Sequence, residues 1–598
     1  MPRLLRSRWS STALFFENMT AFSLFHRPSF AGKLQMIDDD ATCAALLAAM
    51  FAFSSRFRPY VPGRFAPADF HRMADHWIEA AQQRISDTTP SLPLLQAMTL
   101  NTFMHLTRGA KGTAWRALGL LVRMAYEMEL HLVDVSGMVI DDAWVENEER
   151  RRLWWAIWEL DVFASTVRRL PNAIDWQLNR TLLPVDDDAW FARQPQVSCF
   201  LLPDPSDRWK ALVSSGTSSA KAWFIVLNSI MRSIQLLVCP STSNVLEMPA
   251  LPRQRAASDS VSPIIDSAAS RDVQSHLVIL GNCLYCTELH IPSCWAYDGR
   301  RLDFRRKTTV DSPDRIESQI YSIYIMIQLS KLMLHYRDVF NVSLPDPLES
   351  SGSADVQIPS SGLSWERFAD RPSWQAYLEA AENILQIVTN SSPNHIMYVN
   401  PFLTTTIWFA TAVFLVHRHL GTSEGSLERQ VVQSKYDLLR SIVSKSMEFW
   451  NISPILATKF KILETELDRL ENSKNQSERT SINGQAFDRF SKRRRSHKTQ
   501  HRSTGIEPTR AQNSLEHMAS TASSNLPFQC SNVSNPSNVP VGQQILGGGL
   551  QAEMDSTLGV PSEGTDVDMS GFNEAWLNLN DFEQPHLQSF LTGILAWE

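Results

Sequence analysis

At 598 residues the chain exceeds what one hydrophobic core normally organises, and its net charge of −7, spread over the whole length, does not mark a nucleic-acid binder. Hydrophobic residues at 43%, with 18 tryptophans and 29 phenylalanines, supply a core of bulky aromatic packing between helices. The seven cysteines (Cys43, Cys199, Cys239, Cys283, Cys286, Cys294 and Cys530) are odd in number and scattered, which argues against a secreted disulfide framework and for a reducing compartment.

The chain starts MPRLLRSRWSSTALFF, basic and acid-poor like a transit peptide, but Glu17 cuts the apolar stretch short of signal-peptide length. From there to about residue 470 the apolar periodicity is helical, and it predicts an all-α fold, a large irregular multi-helix bundle. Trp115, Leu118, Val122 and Ala125 share one face of a helix running to about Leu130. Residues 146–163, ENEERRRLWWAIWELDVF, make the most distinctive helix. There Glu146 with Arg150 and Glu148 with Arg152 are spaced for ion pairs one turn apart. Leu153, Ile157 and Leu160 form its apolar stripe, surrounded by Trp154, Trp155 and Trp158.

Segments 240–275 and 345–372, rich in Ser, Pro and Asp, read as mobile surface loops. Trp374, Leu378, Ala381, Leu385 and Val388 mark a further helical stripe. The longest apolar run, 402–416, is shorter than a bilayer requires and reads as a buried core helix, so no membrane partner is expected. Leu456, Phe460, Leu463, Leu467 and Leu470 form a seam suited to another helix or another subunit.

Residues 471–570 shift to Ser, Asn, Gln, Gly and Thr, too polar to offset the entropy of ordering, and are predicted to be disordered. Within them the run 492–502 carries Lys492, Arg493, Arg494, Arg495, Lys498 and Arg502, a cluster of the sort read by a nuclear import receptor or attracted to nucleic acid, or else a solvated charge run. After Arg510 there is no Lys or Arg. The tail 571–598 sets Phe572, Trp576, Leu577, Leu579, Phe582, Phe590 and Leu591 among acids. Such a pattern suits an activation segment offered to a coactivator groove, or a helix folded back on the main domain.

The helix at 146–163 resembles the central signature of the fungal-specific transcription factor domain, the middle homology region of the fungal zinc-cluster (Zn2Cys6) transcription factors. The matching residues are Arg150, Arg151, Arg152, Leu153, Trp154, Trp155, Asp161, Pro171 and Ile174, followed by LLPVDDD at 182–188. Upstream, Gln96, Ala97, Gly109, Ala114, Trp115, Gly119, Arg123, Met124, Ala125, Leu130 and His131 are similar to the family's preceding helical pair. His26, Arg27, Pro28 and Phe30 resemble its first motif, and 335–337 and 400–414 fit later helices loosely. Four positions depart from the pattern: Glu129 stands where a glycine is usual, Val162 where arginine is common, and Arg169 and Leu170 replace the Gly-Arg before Pro171.

The resemblance implies a regulatory domain over 1–470, a linker at 471–570 and a tail at 571–598, with the arginines and tryptophans as structural keystones and no catalytic, cofactor-binding or metal-binding residue. The six-cysteine module through which the family binds zinc and reads DNA is not matched. The nearest set, Cys283, Cys286 and Cys294 with His290 or His276, sits in the apolar stretch HLVILGNCLYCTELHIP and reads as buried free cysteines on a helix. DNA binding by this chain alone is therefore not supported. The zinc cluster is expected from sequence upstream of Met1, which falls almost on the first motif, or from a partner.

The function so implied is regulation of transcription in the nucleus, with activation of RNA polymerase II genes in a metabolic or secondary-metabolite set. Expected partners are the transcription machinery or coactivators, a second copy of the chain, and a small-molecule inducer in a pocket between helices. Two other readings are a helical protein-binding scaffold and an all-helical magnesium-dependent enzyme of the terpene-synthase type. The enzyme would draw on Asp38 to Asp40, Asp141 with Asp142, or Asp186 to Asp188, but none of these shows the two-residue gap that a helical metal face requires.

Overall fold

The apolar stripes become helices at nearly every predicted place in the computed structural model. It describes residues 12–58, 65–85, 89–110, 112–135, 143–238, 264–304, 313–340, 371–469 and 471–472. All of these lie within one compact unit. Among the described residues there is no strand, and one isolated bridge joins Leu302 to Ser391.

The N-terminal part consists of α1 (12–18), α2 (Phe30–Gln35), α3 (Asp40–Ser54), α4 (Pro67–Ile85), α5 (Leu92–Arg108) and α6 (Thr113–Glu127). Asp39 caps α3 by accepting from the amides of Ala41 and Thr42, which satisfies two donors that the helix start leaves open. α3 is apolar on every side and accordingly sits inside, packed on α4 and α5. On α6, Leu118, Val122 and Ala125 are buried as the stripe requires, and Trp115 is partly buried under the guanidinium of Arg168 at 4.7 Å.

The signature segment is α7 (Trp144–Arg168), followed by the short α8 (Asp187–Phe191), α9 (Pro205–Ser215) and α10 (Ala220–Val238). α7 packs against α5 and α6 on one side and α10 on another, so it joins the two halves of the bundle. The second half runs through α11 (Ile264–Leu289), α12 (Pro313–Phe340), α13 (Pro372–Thr389), α14 (His395–Tyr398), α15 (Thr404–Leu420), α16 (Leu427–Trp450) and α17 (455–469). Each of α10, α12, α13, α15 and α16 packs on the next. One hydrophobic core runs through both halves, and Phe163 of α7 stacks on Phe402 beside α15 at 3.6 Å between ring centres.

One expectation needs adjustment. The loop predicted at 240–275 is helical from Ile264 onward, because α11 continues upstream into its Ser- and Asp-containing stretch. The loop at 345–372 lies outside the described residues but for its last two, where Pro372 occupies the first turn of α13, a place that suits proline. The seam on α17 turns inward: Phe460, Leu463 and Leu467 are buried, Phe460 stacks on Trp408 at 5.1 Å, and Tyr436 donates to Glu464 at 2.7 Å. Leu470 lies outside the described residues. The run 402–416 is buried, and among the described residues the helix long and apolar enough to cross a bilayer is Ala220–Val238, 78% of which is buried inside the protein.

Candidate functional site

The triple arginine opens into three different environments because successive residues on a helix point about 100° apart. Arg150 is half-buried and donates to the carbonyl of Met128 at 3.0 Å, rather than to Glu146, which lies 3.8 Å from Lys33. Arg151 is buried and grips Asp134 with two bonds, from Nε at 2.8 Å and Nη2 at 2.6 Å, while Nη1 reaches Glu148 at 3.2 Å. Arg152 donates to Glu148 at 2.8 Å as its one-turn spacing predicts, to Asp187, and to the carbonyl of Val185 at 2.7 Å. Its guanidinium also lies 4.1 Å from the centre of the Trp190 ring.

This network fastens the acidic loop to α7. The amide of Leu182 donates to Asp134 at 2.9 Å, that of Val185 to Glu148 at 3.0 Å, and the indole of Trp155 to the carbonyl of Leu182 at 2.7 Å. Trp154 donates to Asn179 at 2.9 Å, and Trp158 packs edge-on to both Trp155 and Trp176. Asp187 also accepts from Ser23 at 2.8 Å and Arg315 at 3.3 Å. Burial alone would raise its pKa, but Arg152, Arg315 and Ser23 outweigh burial and hold it at about 2. Breaking one member of so dry an ion network strands the others, which makes the set a device for fixing geometry.

Asp161, about two turns before the end of α7, closes the turn that follows. It accepts from the amides of Ala173 and Ile174 and from Asn172, each at 3.1 Å, and from Ser165 at 3.3 Å. Burial pushes its pKa up against those donors. Pro171 is exposed in that turn, and its carbonyl accepts from Ser165 at 3.3 Å. Arg232 of α10 reaches the same turn through Asn172 at 2.8 Å and Leu170. Of the first motif, His26 and Phe30 are buried and Arg27 and Pro28 exposed, with His26 bonded to Ser29 at 2.8 Å and to the carbonyl of Trp190 at 3.1 Å.

A cavity of about 40 Å³ lies beside Arg152, enclosed by Ser23, Glu159, Asp187, Lys221 and Ser318, polar enough and large enough for a few waters. Lys221 bridges Glu159 at 3.1 Å and the carbonyl of Ala21 at 2.7 Å. A second cavity, of about 610 Å³, lies between α2, the starts of α3 and α5, and the first turns of α7. It has the size of a small-molecule site and no sequence pattern announced it, because its walls come from four separate elements.

The remaining site residues fall apart. Cys283 is buried and Cys286 half-buried on α11, whereas Cys294 is exposed on the 3₁₀ turn Ser293–Trp295, so the three are not all buried helix cysteines. Asp39 and Asp186 act as helix caps and Asp187 as an arginine partner, so these carboxylates are engaged in holding the fold. Among the described residues, His71, Asp75 and His105, and His419, Asp468 and Glu471, are close enough to share a metal ion. Arginines crowd both sets, Arg56 and Arg108 the first and Arg418 and Arg429 the second, which opposes a cation. The basic residues Lys492, Arg493, Arg494, Arg495 and Lys498 and the tail residues Trp576, Leu577, Leu579, Phe582, Phe590 and Leu591 lie outside the described residues.

Comparison with known proteins adds what the geometry alone does not carry. A family profile described as "Fungal specific transcription factor domain" matches residues 12–241. The chain is 23% identical over 207 residues to the "Transcription factor tazR" of Aspergillus terreus, covering 34% of this chain and 32% of that protein. It is 33% identical over 105 residues to the "Regulatory protein CAT8" of Saccharomyces cerevisiae, covering 17% and 7%. It is 25% identical over 198 residues to the "Pigment biosynthesis transcriptional activator pigB" of Monascus ruber, covering 31% and 35%. The matched stretch thus spans about a third or less of each of these relatives. No solved structure matches.

Proposed function

We propose, from the premise that residues 12–241 match the fungal-specific transcription factor domain, that the chain is a nuclear regulator of transcription, an activator of RNA polymerase II genes in a metabolic or secondary-metabolite set. The domain's family is one of transcription factors, not of enzymes. The observation that carries the proposal is that match, together with relatives whose names are those of transcription regulators, one of them an activator of pigment biosynthesis. The burial of the arginine network supports the role of a scaffold whose geometry must hold, and no step of catalysis is assigned to it.

In this reading DNA contact comes from a zinc cluster supplied upstream or by a partner, and coactivators are recruited through the acidic, aromatic tail at 571–598. A fusion of the full chain to a heterologous DNA-binding module tests both halves. Reporter output should rise, and removal of 571–598 should abolish most of that rise. A tagged chain excluded from the nucleus, combined with an unchanged transcript profile on gene deletion, would reject the proposal.

A further inference from the structure

The cavity of about 610 Å³ lies within the range of small-molecule sites. Much of its wall is apolar: Phe25, Phe30 and Leu46 are buried around it, and Leu34, Leu92 and Pro93 are among the other apolar residues that line it. Its polar groups are unevenly matched. Four carboxylates, Asp38, Asp39, Glu146 and Glu149, line it against one cation, Lys33.

The nitrogen donors among the lining side chains are engaged, and the hydroxyl of Thr42 bonds Asp39 at 2.7 Å. Lys33 bonds Glu149, and Gln96 spends both amide hydrogens, on the carbonyl of Leu24 at 2.9 Å and on Glu149 at 3.2 Å. Acceptors remain open: Glu146 is 55% exposed and 3.8 Å from Lys33, and Asp38 is exposed. Arg84 pairs with Asp39 from outside the lining at 2.6 Å, and the starts of α3, α5 and α7 each add roughly half a positive charge. Even so the balance stays negative. An anionic ligand would meet four carboxylates, whereas a ligand that donates and carries positive charge would find acceptors at the mouth and aromatic faces behind them.

We propose that this cavity binds an organic cation of drug size, a protonated amine on an apolar body, with the amine at Glu146 and Asp38 and the body against Phe25, Phe30 and Leu46. Glu146 and Glu149 belong to α7, and Glu149 adjoins Glu148, which holds Arg151 and Arg152. A ligand amine competes with Lys33 for this face, so occupancy bears directly on the helix that joins the two halves of the bundle. That the bound amine acts as an inducer rests on the regulatory reading above; binding itself does not.

Calorimetric titration of the purified full chain with three probes of one body, 4-phenylbutylamine, 4-phenylbutanol and 4-phenylbutyrate, separates the contributions of body and head. The amine should bind with Kd below about 1 mM, and the carboxylate at least about tenfold more weakly. Glu146→Gln, at a half-exposed position, should weaken the amine about threefold or more and leave the alcohol unchanged. Leu34→Trp, which fills the cavity from a half-buried position, should remove binding of all three while the melting temperature holds. Equal affinity for the three heads, no heat from the amine at about 1 mM, or unchanged binding to Leu34→Trp would each overturn the site. Amine binding without any change in reporter output would leave the site standing and remove its role as an inducer port.

Discussion

Glu129 and Arg169 occupy left-handed backbone at φ 54° and 52°, and these are the two places where the sequence lacks the glycine its likeness leads one to expect. Glu129 precedes the 3₁₀ turn Leu130–Leu132, and Arg169 caps the C-terminus of α7. A side chain in this region strains against its own carbonyl by roughly 1–2 kcal/mol, of which glycine gives back part as backbone entropy. Glu129→Gly and Arg169→Gly should therefore each raise the unfolding free energy by about 1 kcal/mol, read from the urea midpoint. At Arg151 the effect is larger and opposite. Arg151→Ala leaves Asp134 and Glu148 buried without their shared cation and should cost about 3–5 kcal/mol, whereas Arg27→Ala at an exposed position should stay within about 0.5 kcal/mol. The sequence made the pairing of Glu148 with Arg152 readable, since both lie on one helix. It hid Asp134 and Asp187, which reach the arginines from other segments.

Among the helices, the stripes of α6 and α13 were readable because burial of one face at helical spacing is a local pattern. The start of α11 was not, since its first turns carry the Ser and Asp that mark loops elsewhere. The seam of α17 was readable as a seam but not as to its partner, and the structure seats it on α15 and α16 through Trp408 and Tyr436. Phe460→Ala should open a cavity there and lower stability by about 3–5 kcal/mol. Its elution volume in size-exclusion chromatography should match that of the parent chain, and a shift in oligomeric state would place the seam between subunits instead.

Across the whole molecule, burial holds histidines neutral in many parts of the core. His71 is pushed down to about 3, by burial first and then by His105 and Arg108, and burial likewise lowers His26, His395 and His417. The unfolded chain takes up protons below the ordinary histidine pKa of about 6.5, and the folded chain does not until pH is lower. Stability should therefore be fully present at neutral pH and fall as pH drops from about 6.5 toward 3. Denaturation curves at pH 7.5, 6 and 5 check this trend, which His71→Phe should flatten if the cluster at α4 and α5 carries a measurable share. A stability that rises on acidification would contradict it.

Periodicity along the chain sufficed to specify helices, their apolar stripes and the signature on α7, because each of those features depends on residues within a few turns of one another. Contacts between distant segments needed the folded form. Ser23 and Asp187 are 164 residues apart, Arg315 and Asp187 128 apart, and Lys33 and Glu149 116 apart. Which carboxylate meets which arginine, which face of α17 is covered, and where a cavity opens all depend on how helices cross, and crossing angles follow from side-chain ridges meeting in space. No spacing rule encodes them.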